Sequence, residues 1–262
     1  MGRGEFRLLV RGVPAHALHH GALGWCSIGL ITFEQRICLI DTGGFGYRGL
    51  LLESLAAEGL SPHDVTDILV THSHWDHVTS VDLFPNAVIR MSEGELDWAL
   101  SLRENHLLVP VAVLASSMKQ ERINAFAPGE EVFPRVIALP TPGHTPGHTS
   151  YLIRAKNGTA IFAGDAVKNE VELVTRRARM TMDGAESTRS IEKIIEVAQT
   201  EPALICCGHD RVFRWEQGSF LPSETHPAGV GIVEFGHDRS DPEDRRVVLI
   251  EAPDPPQRDQ DR

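Results

Sequence analysis

Four side chains able to bind a metal fall within six residues, His72, His74, Asp76 and His77, in the order His-x-His-x-Asp-His. Imidazole nitrogen combined with carboxylate oxygen suits zinc, iron or manganese, whereas calcium and magnesium sites are built almost wholly from oxygen. One residue between His72 and His74 lets both point to the same side of an extended segment, while the adjacent Asp76 and His77 diverge. That pattern suits two metals better than one. Further along, His144 sits in Thr141-Pro142-Gly143-His144-Thr145-Pro146-Gly147-His148, where Gly and Pro turns can aim an imidazole at a fixed point. Asp165 follows Gly164 at the end of an apolar run, and a carboxylate with two oxygens can bridge two cations and lower their mutual repulsion. His209, just past a second apolar run, completes the candidate set. Histidine is the compositional outlier, with 13 copies in 262 residues, and the function is to be sought among them.

These residues need a frame. The runs 23–33 and 36–40 read as an antiparallel hairpin ending in Asp41-Thr42-Gly43-Gly44. Leu50, Leu51, Leu55 and Ala56 then recur at helical spacing, with Gly59 as the stop. Segment 67–71 is a short buried strand that delivers the histidine cluster onto a loop. Another strand is expected over 87–91, and Ser92 followed by Glu95 has the pattern of a capping box opening a helix through Trp98 and Leu102. Segment 111–123 reads as helical. The apolar side chains over 107–118 exceed what one helix face buries, so they are expected to form a lid, a contact in a homodimer, or ordinary core. The second half repeats the grammar: strands at 132–139, 150–154 and 159–163, a helix over 186–199, and a strand at 203–207. A late hairpin over 229–235 and 245–252 precedes a Pro-, Asp- and Arg-rich tail, 253–262, expected to be disordered. Strands and helices in this order predict two sheets flanked by helices, in a single domain over 1–252.

Lys plus Arg is 25 against 36 for Asp plus Glu, a net charge of −11 with no long basic run, which argues against a nucleic-acid partner. The N-terminal residues lack the pattern of a secretory leader, and the most apolar window is about ten residues where a spanning helix needs about 20. No membrane role is expected. Cys26, Cys38, Cys206 and Cys207 are too unevenly placed for a disulfide framework, and a reducing, cytoplasmic setting fits them.

The set Leu39-Ile40-Asp41-Thr42-Gly43, His72-Ser73-His74-Trp75-Asp76-His77, Pro142-Gly143-His144, Gly164-Asp165 and Gly208-His209 resembles the metallo-β-lactamase superfamily of metallohydrolases. The match spans roughly residues 27–210 and is specific for fold, less so for substrate. The resemblance implies an α/β fold, the four-layer αββα sandwich, with metals in a groove along the edge between the sheets. It implies that His72, His74 and His144 hold one metal, that Asp76, His77 and His209 hold the other, and that Asp165 and a hydroxide bridge them. Zinc is the first expectation, with iron or manganese as alternatives. Asp41 would orient a ligand imidazole. Two metals then generate hydroxide at neutral pH and polarise a carbonyl, which is the chemistry of hydrolysing an activated acyl bond in a small-molecule lactone, ester or thioester.

The absence of a leader and the presence of Asp165 rather than Cys disfavour antibiotic hydrolysis. The intervals between His144, Asp165 and His209 resemble the acyl-homoserine lactonases more than the glyoxalase II group. Where those lactonases place a tyrosine three residues after the bridging aspartate, this sequence has Lys168. It is expected either to bind a developing oxyanion or substrate carboxylate in a catalytic role with Asp76, or to be a solvated surface residue. His148 is expected either to hydrogen-bond beside the site or to sit in the core at the start of a strand. Trp75 walls an acyl pocket or packs beneath the loop. A mononuclear iron persulfide dioxygenase of the same fold is the rival reading, and a non-catalytic metal-binding scaffold the third.

Overall fold

The computed structural model describes residues 4–13, 16–17, 21–22, 25–33, 35–223, 229–235 and 245–251. The chain divides into two compact units, 1–223 and 224–262. In the first, β1 (Glu5–Val10) is followed by the short strands β2 (His16–Ala17) and β3 (Gly21–Ala22), then by β4 (Ile28–Phe33), β5 (Arg36–Ile40), α1 (Arg48–Ala57), β6 (Asp67–Leu69), α2 (Trp75–Val78), β7 (Val88–Ser92), α3 (Glu93–Ser101), α4 (Val111–Lys119) and β8 (Ile123–Phe126). Next come β9 (Glu131–Phe133), β10 (Val136–Pro140), β11 (Thr149–Ala155), β12 (Gly158–Gly164), α5 (Glu170–Thr175), α6 (Gly184–Thr200), β13 (Leu204–Cys207), β14 (Val212–Glu216) and β15 (Ser219–Pro222). In the second unit β16 (Gly229–Phe235) pairs antiparallel with β17 (Arg245–Glu251). The late hairpin therefore forms as expected but falls outside the first unit, where the sequence reading placed it in a single domain; residues 253–262 lie outside the described residues.

Two sheets make up the body of the first unit: one of six strands, ordered β1-β4-β5-β6-β7-β8, and one of seven, ordered β15-β14-β13-β12-β11-β10-β9. Alternation along the strands builds three cores and so four layers. Cys38, Ile40 and Leu69 point between the sheets, against Val136, Tyr151, Ile153, Phe162 and Cys206. Leu39 and Ile68, one residue out of phase, meet Leu51, Leu55, Leu96 and Leu114 of the helices on the outer face of the first sheet. Leu152, Ile161 and Ile205 likewise meet Leu173, Ile191, Ile194 and Ile195 of α5 and α6 on the other side. Each fully buried aliphatic side chain contributes about 1.5–3 kcal/mol, and both faces of both sheets carry them. The four cysteines are buried and form no disulfide. Among the described residues, no helix is long and apolar enough to cross a membrane.

Three expected elements differ. The run 132–139 is two strands rather than one, because Arg135 turns the chain with φ +73°. The helix over 111–123 ends at Lys119, Glu121 takes φ +54°, and Ile123 starts a strand that pairs parallel with β7. The apolar segment 107–118 divides: Val109, Val111 and Leu114 are core, while Leu107 is 92% exposed.

Candidate metal centre

Parallel pairing of β5 with β6 and of β12 with β13 sets the C-terminal ends of four strands along one edge of the sandwich. Every candidate ligand except His144 follows β6, β12 or β13, and His144 comes from the loop between β10 and β11. Three groups of ligand atoms form there, each within 4.8 Å: His72, His74 and His144; His72, His77 and Asp165; and Asp76, His77 and His209. His74 Nδ1 lies 3.1 Å from His72 Nε2 and 2.9 Å from His144 Nε2. His209 Nε2 is 3.4 Å from Asp76 Oδ2, and His77 Nε2 is 3.8 Å from the same oxygen. Asp165 lies between the groups. Its Oδ2 is 3.2 Å from His144 Nε2, and its Oδ1 is 3.3 Å from His77 Nε2 and 3.1 Å from His209 Nε2.

Hydrogen bonds on the far side of the rings fix which nitrogen faces the cluster. His77 Nδ1–H donates to Asp41 Oδ2 at 2.7 Å, and His209 Nδ1–H donates to the Trp25 carbonyl at 3.1 Å. Thr71 Oγ1 donates to Asp41 Oδ2 at 2.8 Å, so it accepts from His72 Nδ1–H at 3.1 Å. In each case Nδ1 is engaged on the far side of the ring and Nε2 faces the cluster. His77 Nε2 and Asp165 Oδ1 are buried without a hydrogen-bond partner. Buried orphans of this kind are rare, and a cation between the two atoms satisfies both. The donor set fits divalent transition metals on that ground, three imidazoles at one position and two imidazoles with a carboxylate at the other.

Electrostatics divide the imidazoles into two groups: against the effect of burial, Cys26, Asp41 and the other acids around His77 raise it well above the usual range. Burial pushes His72 and His144 well below the ordinary imidazole range and His74 down to about 4, so these rings are neutral. Burial opposes charge on His209 too, but Asp165 and Asp76 beside it raise its proton affinity above the usual value. Burial alone would raise the Asp165 carboxyl; His209, His144 and His77 around it hold it well below the usual range.

Asp41, at φ +58°, accepts from Thr71 N as well as from Thr71 Oγ1 and His77, so its carboxylate binds the strand end and the ring together. His148 is buried, and its Nε2 accepts from Asp165 N at 3.0 Å while Nδ1–H donates to Thr141 Oγ1 at 2.9 Å. Burial pushes it down to about 3, which keeps Nε2 an acceptor. Lys168 is neither a solvated lysine nor a free cation in the groove. Its side chain is 12% exposed, and Nζ pairs with the buried Glu172 carboxylate at 3.3 Å and donates to the Asp165 carbonyl. Trp75 packs against the loop after β5, where a Cβ at Gly44 would meet its ring at 2.8 Å.

The sequence reading missed Glu95. The sequence reads it as half of a capping box, and Ser92 Oγ does accept from Glu95 N. The Glu95 carboxylate does not return to Ser92; it is buried and bonds to the loops that carry His72, His74 and His144. An acidic residue in the first turn of a helix that is followed by an apolar face at 96 and 99 was the available signal.

The metallo-beta-lactamase superfamily model matches residues 23–209. The chain belongs to that superfamily. Among curated relatives it is 30% identical to YobT of Bacillus subtilis over 202 residues, 71% of this chain and 83% of that one. It is 30% identical to mouse metallo-beta-lactamase domain-containing protein 1 over 189 residues, 71% of this chain and 64% of the mouse protein. It is 27% identical to the N-acyl homoserine lactonase of Bacillus cereus over 210 residues, 71% of this chain and 80% of that enzyme. In fold it is similar to the solved structure of AidC, described as a dizinc quorum-quenching lactonase, with TM-score 0.65 and 24% identity over 77% of this chain and 80% of that one.

Proposed function

We infer that this protein is a hydrolase that holds two divalent cations and cleaves an activated acyl bond in a small-molecule lactone, ester or thioester. The observation that carries the reading is the Asp165 carboxylate, whose two oxygens each lie within 3.3 Å of a different set of imidazoles. His72, His74 and His144 would hold one cation, Asp76, His77 and His209 the other, and Asp165 would contribute one oxygen to each. Bound there, the cations bring the pKa of coordinated water toward neutrality and polarise the acyl carbonyl. Zinc suits the donor set best, and the description of AidC as a dizinc enzyme supports it.

The chain's own residues do the rest. Asp41, Thr71 and the Trp25 carbonyl hold three imidazoles in the tautomer that presents Nε2, and their fixed protons prevent the rings from turning away. His148 holds the Asp165 backbone and, through Thr141 and Ser150, ties it to the Ala163 carbonyl on β12. Asp76 keeps 15% of its side chain exposed, more than Asp165 does, and is the carboxylate that would take the proton of the attacking water and pass it to the leaving group. Lys168 holds the backbone of Asp165 by donating from Nζ to its carbonyl. Similarity to the Bacillus cereus lactonase supports the lactone among the three bond types. A net charge of −11 supports a small-molecule substrate over a nucleic acid.

The test is a panel of lactones, esters and thioesters offered to zinc-loaded, chelator-treated and His144→Ala protein. Hydrolysis of one class by the loaded protein alone is expected. No turnover of any class by protein carrying two cations would refute the reading.

A further inference from the structure

Glu95 is 1% exposed, and its carboxylate accepts four hydrogen bonds from two segments far apart in sequence. Oε1 accepts from Ser73 N at 2.8 Å and Ser73 Oγ at 2.6 Å; Ser73 stands between His72 and His74. Oε2 accepts from Thr145 Oγ1 at 2.7 Å and Gly147 N at 3.1 Å; Thr145 follows His144. The first segment leaves the six-stranded sheet and the second joins two strands of the seven-stranded sheet. The second loop is pressed hard on the start of α3: a Cβ at Gly147 would lie 2.0 Å from Glu95 N. Ser92 Oγ adds a bond to the Gly147 carbonyl at 2.6 Å.

We propose that Glu95 is a positioning residue that sets the spacing of His72, His74 and His144 and thereby the affinity of the metal position they form. This rests on the reading of those residues as ligands. A carboxylate with every acceptor site on one oxygen given to the His72/His74 loop and every one on the other given to the His144 loop fixes the distance between them. An acid in a low-dielectric interior, without a cation beside it, is retained only if its donors are worth the desolvation. None of Asp76, His77 and His209 donates a hydrogen bond to the Glu95 carboxylate, so the effect is confined to one of two positions.

The experiment is competition between a chromophoric chelator and metal-free protein for Zn²⁺, repeated with Co²⁺ to read the visible spectrum of each position as it fills, on wild type and Glu95→Gln. The amide turns one acceptor into a donor that opposes a donor of Ser73 or Thr145, while volume is kept. Expected is a loss of about 10–100-fold in affinity at one of the two positions, with a changed Co²⁺ spectrum there and the other position unaltered. Asp67→Asn serves as the comparison for general destabilisation. Asp67 is equally buried, pairs with Arg36 and Arg90, and bonds no ligand loop; it is expected to lower the melting temperature and leave both affinities in place. Should Glu95→Gln fail to fold, Ser73→Ala and Thr145→Val each remove one arm and are expected to weaken the same position. Wild type binding two equivalents while these variants match it overturns the role of Glu95. Wild type binding none overturns the functional reading instead.

Discussion

The Asp165 carboxylate occupies the space that a side chain at residue 208 would need: a Cβ on Gly208 would fall 2.5 Å from Asp165 Oδ1 and 2.6 Å from the Gly164 carbonyl. The glycine before His209 is therefore fixed by the residue that faces both imidazole sets, across two parallel strands. Since the Gly164 contact is with backbone, Gly208→Ala forces a shift of the strand ends. The variant is expected to lose about 1–3 kcal/mol of stability and at least tenfold in metal affinity, read by urea titration and chelator competition.

Asp41→Asn isolates the orientation of one ligand. Asparagine tolerates the left-handed backbone of residue 41, so the turn survives, but an amide offers His77 Nδ1–H a single oxygen that Thr71 also needs. A drop of about 10–100-fold in metal affinity is expected, with little change in the melting temperature of the metal-free protein. A large melting-temperature loss with affinity intact would make Asp41 a turn residue only.

Lys168 and Glu172 give a prediction of the opposite kind. Breaking a buried pair leaves an uncompensated charge and costs on the order of 3 kcal/mol. Glu172 is 3% exposed and keeps only the backbone N–H groups of Lys168 and Arg179 once the ammonium is gone. Lys168→Met is therefore expected to lower stability in urea while two cations still bind. Full stability with a raised KM would instead place the ammonium at the substrate.

Metal removal should be visible in stability. A ligand that binds only the folded chain contributes about 4 kcal/mol at a thousandfold excess over its dissociation constant. Dialysis against a chelator is expected to lower the melting temperature by several degrees, with zinc restoring it. An unchanged transition would show that the cluster holds no tight cation.

How far the sequence discloses all this follows from the range of the interactions. His72 to His77 is a local pattern of uncommon residue types, and the strand ends that carry Asp165 and His209 are marked by apolar runs closing on glycine; both were legible. Glu95 was not, because its partners lie 22, 50 and 52 residues away and its own neighbourhood has a sufficient explanation in a helix start. The ion pair of Lys168 is legible in principle, since Glu172 stands four residues on, but spacing alone does not tell a buried pair from a solvated or substrate-facing lysine. The break at Arg135 was hidden because a left-handed residue between two apolar runs leaves no mark when it is not glycine or asparagine.

Metal content of the untagged protein, prepared without chelator and compared with Asp165→Ala, tests the central claim most directly. The account predicts two zinc or other divalent ions per chain in the wild type and fewer in the variant. A single iron per chain would contradict it and point to oxygen chemistry on the same fold.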